Sequence, residues 1–449
     1  MGRLSERAGY LRLKTRPSVL SATSLPVILS AITIVVVLSA IFHATVLFHA
    51  IPMSFAYSDI QQFFKSAATP GLFYIDKPVE YPVITGLFIQ LSGIIGKTIN
   101  SYYVVTSLFL LLLALAETYI LYRITPDKNR IYRYWVLAPS MLIFAVYNWD
   151  LVAILFVLLA VLSLVAKHRN YSASTSLAFG FSSKFYPAIY LLPLLAIPKK
   201  LSDRMKIVVT FGVGCLIVNL PFALINFRGW YYFFSYNSRR LPNPDSIWGI
   251  IYYYIPQLNV TQINILSLLI FALAYLAVFW RYRHQSFLKL CFALTLIFLI
   301  SNKVFSPQYI LWLLPFFVLT PLNRKGLFYS LEICNLLVLF TIVPLRTGSS
   351  QSTVLVHSCI IFVVLREILL ICLLYYVLRS NMATHDQNLI PDNYLSLNEA
   401  AAVIGVNPGT AKKLCRSGEL NAKMEHGKWV IPSDIVHSFA KQYKRPRRK

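Results

Sequence analysis

Seventeen Asp and Glu residues stand against forty-two Lys and Arg in this 449-residue chain. The acids able to do proton chemistry can therefore be taken one by one. Seven lie in the polar terminal segments (Glu6, Asp386, Asp392, Glu399, Glu419, Glu425, Asp434), Asp127 and Asp203 in basic loops, and Glu117, Glu332 and Glu367 within apolar runs. Asp59, Asp76, Glu80, Asp150 and Asp245 remain. Asp59, in Tyr57-Ser58-Asp59-Ile60 among Phe55, Phe63 and Phe64, reads as a general base, or else as a solvated loop acid or helix N-cap. Asp150, in Asn148-Trp149-Asp150 between two short apolar runs, reads as an acid facing a cavity or as a turn former.

The cations have an equally suggestive distribution. Lys184 interrupts an apolar stretch in Phe181-Ser182-Ser183-Lys184-Phe185-Tyr186-Pro187, where it must snorkel, pair or meet an anion. Arg228, Arg239 and Arg240 precede Pro242-Asn243-Pro244-Asp245 in a long loop, and Lys303 opens Lys303-Val304-Phe305-Ser306-Pro307-Gln308-Tyr309. Glu80-Tyr81-Pro82 leads back into an apolar run. One reaction class would use all of these. Cations would hold a lipid phosphate as a sugar leaves it, a carboxylate would take the acceptor proton, and aromatic rings would stack on sugar faces. The outer loops contain no DxD nucleotide-sugar signature and the chain no Gly-rich phosphate loop, which favours a lipid-linked donor. No cofactor is expected beyond that donor, and no metal ligand is assigned.

The elements that must position these residues are membrane helices. The chain is 57% hydrophobic and 13% charged, about half the quarter charged in a soluble domain. That excludes a soluble globular enzyme and a disordered chain, and long apolar runs exclude a transmembrane β-barrel. Residues 1–24 form a basic tail that places the N-terminus in the cytoplasm. The first apolar run, 25–49, is too long for a signal-peptide core. Further apolar runs predict an all-α polytopic protein of the cell membrane, with ten to twelve spanning helices, basic cytoplasmic loops and both termini inside. Residues 81–97 and 172–198 do not fit simple alternation. Their Gly and Pro content points to broken or hairpin segments, which need a cavity to satisfy their backbone. Glu117, Glu332 and Glu367 read as proton relays of a transporter, or as protonated or hydrogen-bonded acids between helices.

The order Ser-Asp, Glu-Tyr-Pro, Asn-Trp-Asp, Lys-Phe-Tyr-Pro and Asn-Lys-Val-Phe-Ser-Pro-Gln-Tyr over residues 25–380 resembles glycosyltransferase family 87 of the GT-C superfamily. Members of that group are polyprenyl-phosphate-mannose-dependent mannosyltransferases. The chain departs at Glu80-Tyr81-Pro82-Val83, where a second Pro is more usual. The resemblance implies a GT-C-like fold, Asp59 as catalytic base, Asp150 as a second active-site acid, and Lys303 and Gln308 as donor-phosphate or pocket residues. Glu80, Tyr81, Lys184, Tyr186, Arg239, Arg240, Asp245 and Tyr309 complete the expected substrate site. A polyprenyl-phosphate sugar, a glycan or glycolipid acceptor and membrane lipids are the implied partners.

Hydrophobicity stops at Leu378. A linker (381–392) leads to a small domain (393–440) and a basic tail (441–449). Ser396 and Glu399 suggest a capping box for a helix starting near Leu395. Gly405-Val406-Asn407 reads as a turn, Pro408–Ser417 as a second helix, 421–431 as a hairpin around His426-Gly427, and Ser433 as the start of a last helix. The pattern resembles excisionase or MerR-like winged helix-turn-helix domains. That resemblance implies DNA contacts from Thr410, Lys412, Lys413, Arg416, Lys423 and Lys428. The competing reading is a protein-interaction or membrane-facing module. For the whole chain, the alternatives to a glycosyltransferase are a membrane-tethered DNA-binding regulator and a transporter.

Overall fold

The structure is a computed structural model that describes residues 23–48, 50–165, 169–348, 350, 352–380, 394–425 and 428–443. The basic tail up to residue 22, the 381–392 linker, the His426-Gly427 turn and residues 444–449 lie outside the described residues.

Apolar runs of unequal length decide the architecture. Six described helices are long and apolar enough to cross a membrane: Leu25–Ala44, Ile99–Ile124, Leu201–Ile225, Val260–Tyr282, Lys325–Arg346 and Thr353–Arg379. The Leu201–Ile225 and Val260–Tyr282 helices bury almost none of their side chains. Leu216, Ile217, Leu224, Leu268 and Leu273 are instead exposed. Such a surface is unfavourable in water and suited to lipid.

Of the expected ten to twelve spanning helices, these six meet the length and hydropathy of a crossing as single described helices. The remaining apolar runs give shorter helices, among them Asp150–Val165, Phe287–Ser301 and Pro307–Leu319. Pro lacks an N–H and fixes φ, so it starts or interrupts helices. Pro139 begins a six-residue helix, Pro187 sits in a 3₁₀ turn and Pro307 opens another.

These short pieces form hairpins between the two ends of the bundle. At one end the basic loops gather. Arg130 donates from Nε to the Val318 carbonyl at 2.9 Å, Lys289 Nζ to that of Ser380 at 2.7 Å, and Arg324 lies over the Tyr376 ring. At the other end, His43 reaches the Ile143 carbonyl at 2.7 Å and Trp248 Nε1 that of Ser301 at 2.8 Å. Residues 170–195 leave the basic end, turn at 182–185 and return, as their flanking charges require. The Val83–Ile95 helix stays at the far end. It starts beside Ser183, whose carbonyl accepts from Thr85 Oγ1 at 2.8 Å, and ends against Tyr102. A Cβ on Gly93 would come within 2.6 Å of the Ala67 backbone, so this helix packs tightly beside Asp59–Ala68. The neighbours of both its ends thus lie at the far end of the bundle.

The C-terminal unit has its own core of Ala400, Leu414, Leu420, Ile431 and Val436. Three antiparallel strands, β1 (Tyr394–Ser396), β2 (Lys423–Glu425) and β3 (Lys428–Pro432), pair in the order β1-β3-β2. The first helix begins at Leu397 rather than Leu395, because Tyr394–Ser396 pair with Val430–Pro432. The Ser396 side chain of the expected capping box lies outside the described residues. Asn407 caps Pro408–Ser417 by accepting from Thr410 N at 2.8 Å. Gly405 and Gly418 take φ of +76° and +80°, where a Cβ would be strained.

Candidate functional site

At the end of the bundle away from the basic loops, hairpin tips and loops enclose a cavity of about 470 Å³. Ser58 begins its most reactive wall. The Ser58 hydroxyl accepts from Ile60 N and donates to the Tyr147 carbonyl at 3.0 Å, and Asp59 N donates to that same carbonyl at 3.0 Å. The helix cap is thus Ser58, which leaves the Asp59 carboxylate free to line the cavity. Asp59 Oδ2 accepts from Asn148 Nδ2 at 2.6 Å, and Tyr57 is a second hydrogen-bonding neighbour. Asn148 has no freedom in this role. Its Oδ1 accepts from Trp149 N at 2.5 Å, which turns Nδ2 toward Asp59 and the Tyr81 hydroxyl, 3.0 Å away. Burial pushes the Asp59 carboxyl above the usual range, while Tyr57, Asn148 and the more distant charges of Arg346 and Lys184 oppose the rise.

Asp150 differs. It is sealed beneath the wall, and its Oδ1 accepts from Lys184 Nζ at 2.5 Å and Trp312 Nε1 at 2.7 Å. Lys184 is the member of the pair that reaches the cavity, over the rings of Tyr81, Tyr309 and Trp312. Of the open readings of Lys184, pairing is the observed one. Tyr186 and Tyr309 each stack on Trp312 at 4.1 Å, so these rings mainly pack on one another.

Another part of the lining is cationic. Arg240 and Lys303 line it, and among the described residues neither has a carboxylate within ion-pair distance. Lys303 Nζ donates to the Arg240 carbonyl at 2.6 Å, and Asn243 N to that of Lys303 at 2.9 Å, which laces the two loops together. Burial, then repulsion from Arg240, pushes the Lys303 ammonium down to about 8. Gln308 lines the cavity with Oε1 buried and unpartnered.

Of the other expected substrate residues, Glu80, Tyr81, Tyr186 and Tyr309 line the cavity. Arg239 is exposed and outside the lining. Asp245 is buried behind it and binds Arg346 at 2.6 Å. Arg346 does reach the cavity, and sequence reasoning missed it. A signal existed: it is a cation in Val343-Pro344-Leu345-Arg346, at the bundle end that lacks basic loops. Asn148 was seen only as part of a motif.

The three apolar-run glutamates stay outside the cavity lining. Glu332 accepts from Ser140 N at 2.6 Å and Glu367 lies 3.3 Å from Arg366, whereas both Glu117 oxygens are buried. Among the described residues no cluster of three or more His, Cys, Asp or Glu is arranged to hold a metal ion.

In the C-terminal unit, Lys412, Lys413 and Arg416 are exposed on the second helix and Lys423 on β2, while Thr410 is half-buried with its hydroxyl on Asn407. The Lys428 side chain lies outside the described residues. The helix-turn-helix domain family matches residues 394–444. No curated protein matches the chain.

Proposed function

We propose that the membrane part is a glycosyltransferase of GT-C type that moves a sugar from a polyprenyl-phosphate donor to an acceptor hydroxyl. The carrying observation is that, among the described residues, Asp59 is hydrogen-bonded by neutral donors and shares a cavity with Arg240 and Lys303, two cations without carboxylate partners. An unneutralised acid with raised proton affinity suits a general base. Neighbouring unpaired cations suit an anion that gains charge as it leaves.

In this reading the acceptor oxygen attacks the anomeric carbon and the bond to the phosphate oxygen breaks. The phosphate departs with the electron pair and is held by Arg240 and Lys303, while Asp59 takes the acceptor proton. Asn148 and Tyr57 aim the carboxylate. Asp150 fixes Lys184, and Asp245 fixes Arg346. The basic loops at the far end of the bundle support a cavity on the non-cytoplasmic side. The hairpins of short apolar pieces would add crossings to the six long helices. Mannose as the sugar rests on the motif resemblance alone. The test is sugar transfer from polyprenyl-phosphate-mannose by purified protein in detergent, wild type beside Asp59→Asn. Full activity of Asp59→Asn removes the assignment.

A second activity is favoured by the exposed Lys412, Lys413 and Arg416 on the second helix of the helix-turn-helix domain: DNA binding through that helix and the β2–β3 wing. Salt-dependent retention of duplex DNA by the full chain would support it. Equal retention by a variant lacking those three charges would oppose it.

A further inference from the structure

The Phe227–Arg239 helix, between two of the long apolar helices, has seven aromatic residues among its 13. None of its residues is buried. At 100° per residue most of its part-buried and exposed residues fall on different sides. One side carries Trp230, Phe233, Phe234 and Asn237, all part-buried, and Phe233 and Asn237 line the cavity. The other carries Phe227, Arg228, Tyr231, Tyr232 and Arg239, all exposed, and no acid.

Position in the chain fixes where this second side lies. The helix starts two residues after Leu201–Ile225 ends, and Asn264, in the first turns of Val260–Tyr282, donates to the Ser238 carbonyl at 2.7 Å. Both flanking helices expose leucine and isoleucine along their length. The helix that carries the exposed aromatic and arginine face thus adjoins the ends of both apolar helices. Tyrosine at that depth keeps its ring in apolar surroundings and its hydroxyl in the wet layer, and arginine there meets phosphate.

We infer that the Phe227–Arg239 helix lies in the phospholipid headgroup layer, bound through Tyr231, Tyr232, Arg228 and Arg239 to anionic lipid phosphates, and forms the lipid-side wall of the cavity. This goes beyond the transfer reaction and holds for any occupant of the cavity. It places the mouth of the site where a membrane-borne substrate already resides.

The test uses the full chain in nanodiscs, with spin labels at Tyr231→Cys and Tyr232→Cys in a background lacking the accessible Cys215 and Cys372. A label at Ser417→Cys serves as the aqueous reference. Labels at 231 and 232 should relax more with oxygen than with a water-soluble nickel chelate, opposite to the reference. Labels that match the reference overturn the proposal. The Arg228→Gln/Arg239→Gln variant should retain several-fold less anionic phospholipid than wild type through purification, read by lipid extraction. Unchanged retention overturns the assignment of the two arginines. If a cysteine variant fails to fold, that retention comparison still decides.

Discussion

The cavity wall and the layer beneath it use the same residue type in opposite ways. On the wall, Asp59 is hydrogen-bonded by the amide of Asn148 and the phenol of Tyr57, with the charges of Arg346 and Lys184 farther off. Beneath, Asp150 and Asp245 each hold a cation, Lys184 at 2.5 Å and Arg346 at 2.6 Å. A buried pair leaves no charge to spare and is costly to break. A carboxylate held by neutral donors keeps its proton affinity, which burial raises. Chemistry is thus expected at Asp59, and placement of cations at Asp150 and Asp245.

Replacing the two acids in parallel gives the largest test of this contrast. Asp59→Asn should lower kcat by about 10²–10⁴, the contribution of a positioned base, with the melting temperature unchanged or raised. Asp150→Asn should instead leave Lys184 unpaired and cost about 3–5 kcal/mol of stability, read as a fall in melting temperature in detergent. Lys184→Met added to it should restore much of that loss. If Asp59→Asn is the one that unfolds, the contrast is wrong.

Smaller effects sharpen the same picture. Asn148→Ala removes a hydrogen bond to a charged group, about 1.5–3 kcal/mol, so activity should fall roughly 10–100-fold. The carboxylate form loses a donor, so the acid limb of the kcat/KM profile should move to higher pH. A profile that only scales down would reduce Asn148 to a packing role. Lys303, pushed down to about 8, is charged below that pH and neutral above it. Donor KM should therefore be flat below about 8 and rise beyond it. Lys303→Arg should abolish the rise, since guanidinium stays charged.

The least effect concerns Lys412 and Lys413, exposed cations of the C-terminal domain that also lack an acidic partner among the described residues. Lys413→Ala should weaken DNA retention equally across sequences and reduce the salt slope by about 1. No change would exclude this lysine from phosphate contact.

Much of this is legible in the sequence. Apolar runs announced a membrane protein, and Pro and Gly in 172–198 announced a broken hairpin, because both signals act over a few residues. The turn at Gly405 and the helix start at Pro408 are legible for the same reason. The first helix of that domain was placed two residues early, because strand pairing of Tyr394–Ser396 with Val430–Pro432 overrides local propensity. Arg239 and Arg240 could not be told apart: neighbours on a helix end point different ways, and only Arg240 reaches the cavity.

The sequence alone determined a short set of candidate acids, helices suited to lipid and a helix-turn-helix domain. Composition, periodicity and turn chemistry are properties of neighbouring residues. Only the tertiary structure decided which acids hold a cation. Asp59 finds Asn148 across 89 residues, Asp150 finds Lys184 across 34, and Asp245 finds Arg346 across 101. A carboxylate's proton affinity depends on what packs within a few ångströms, and no local pattern encodes a partner that far along the chain.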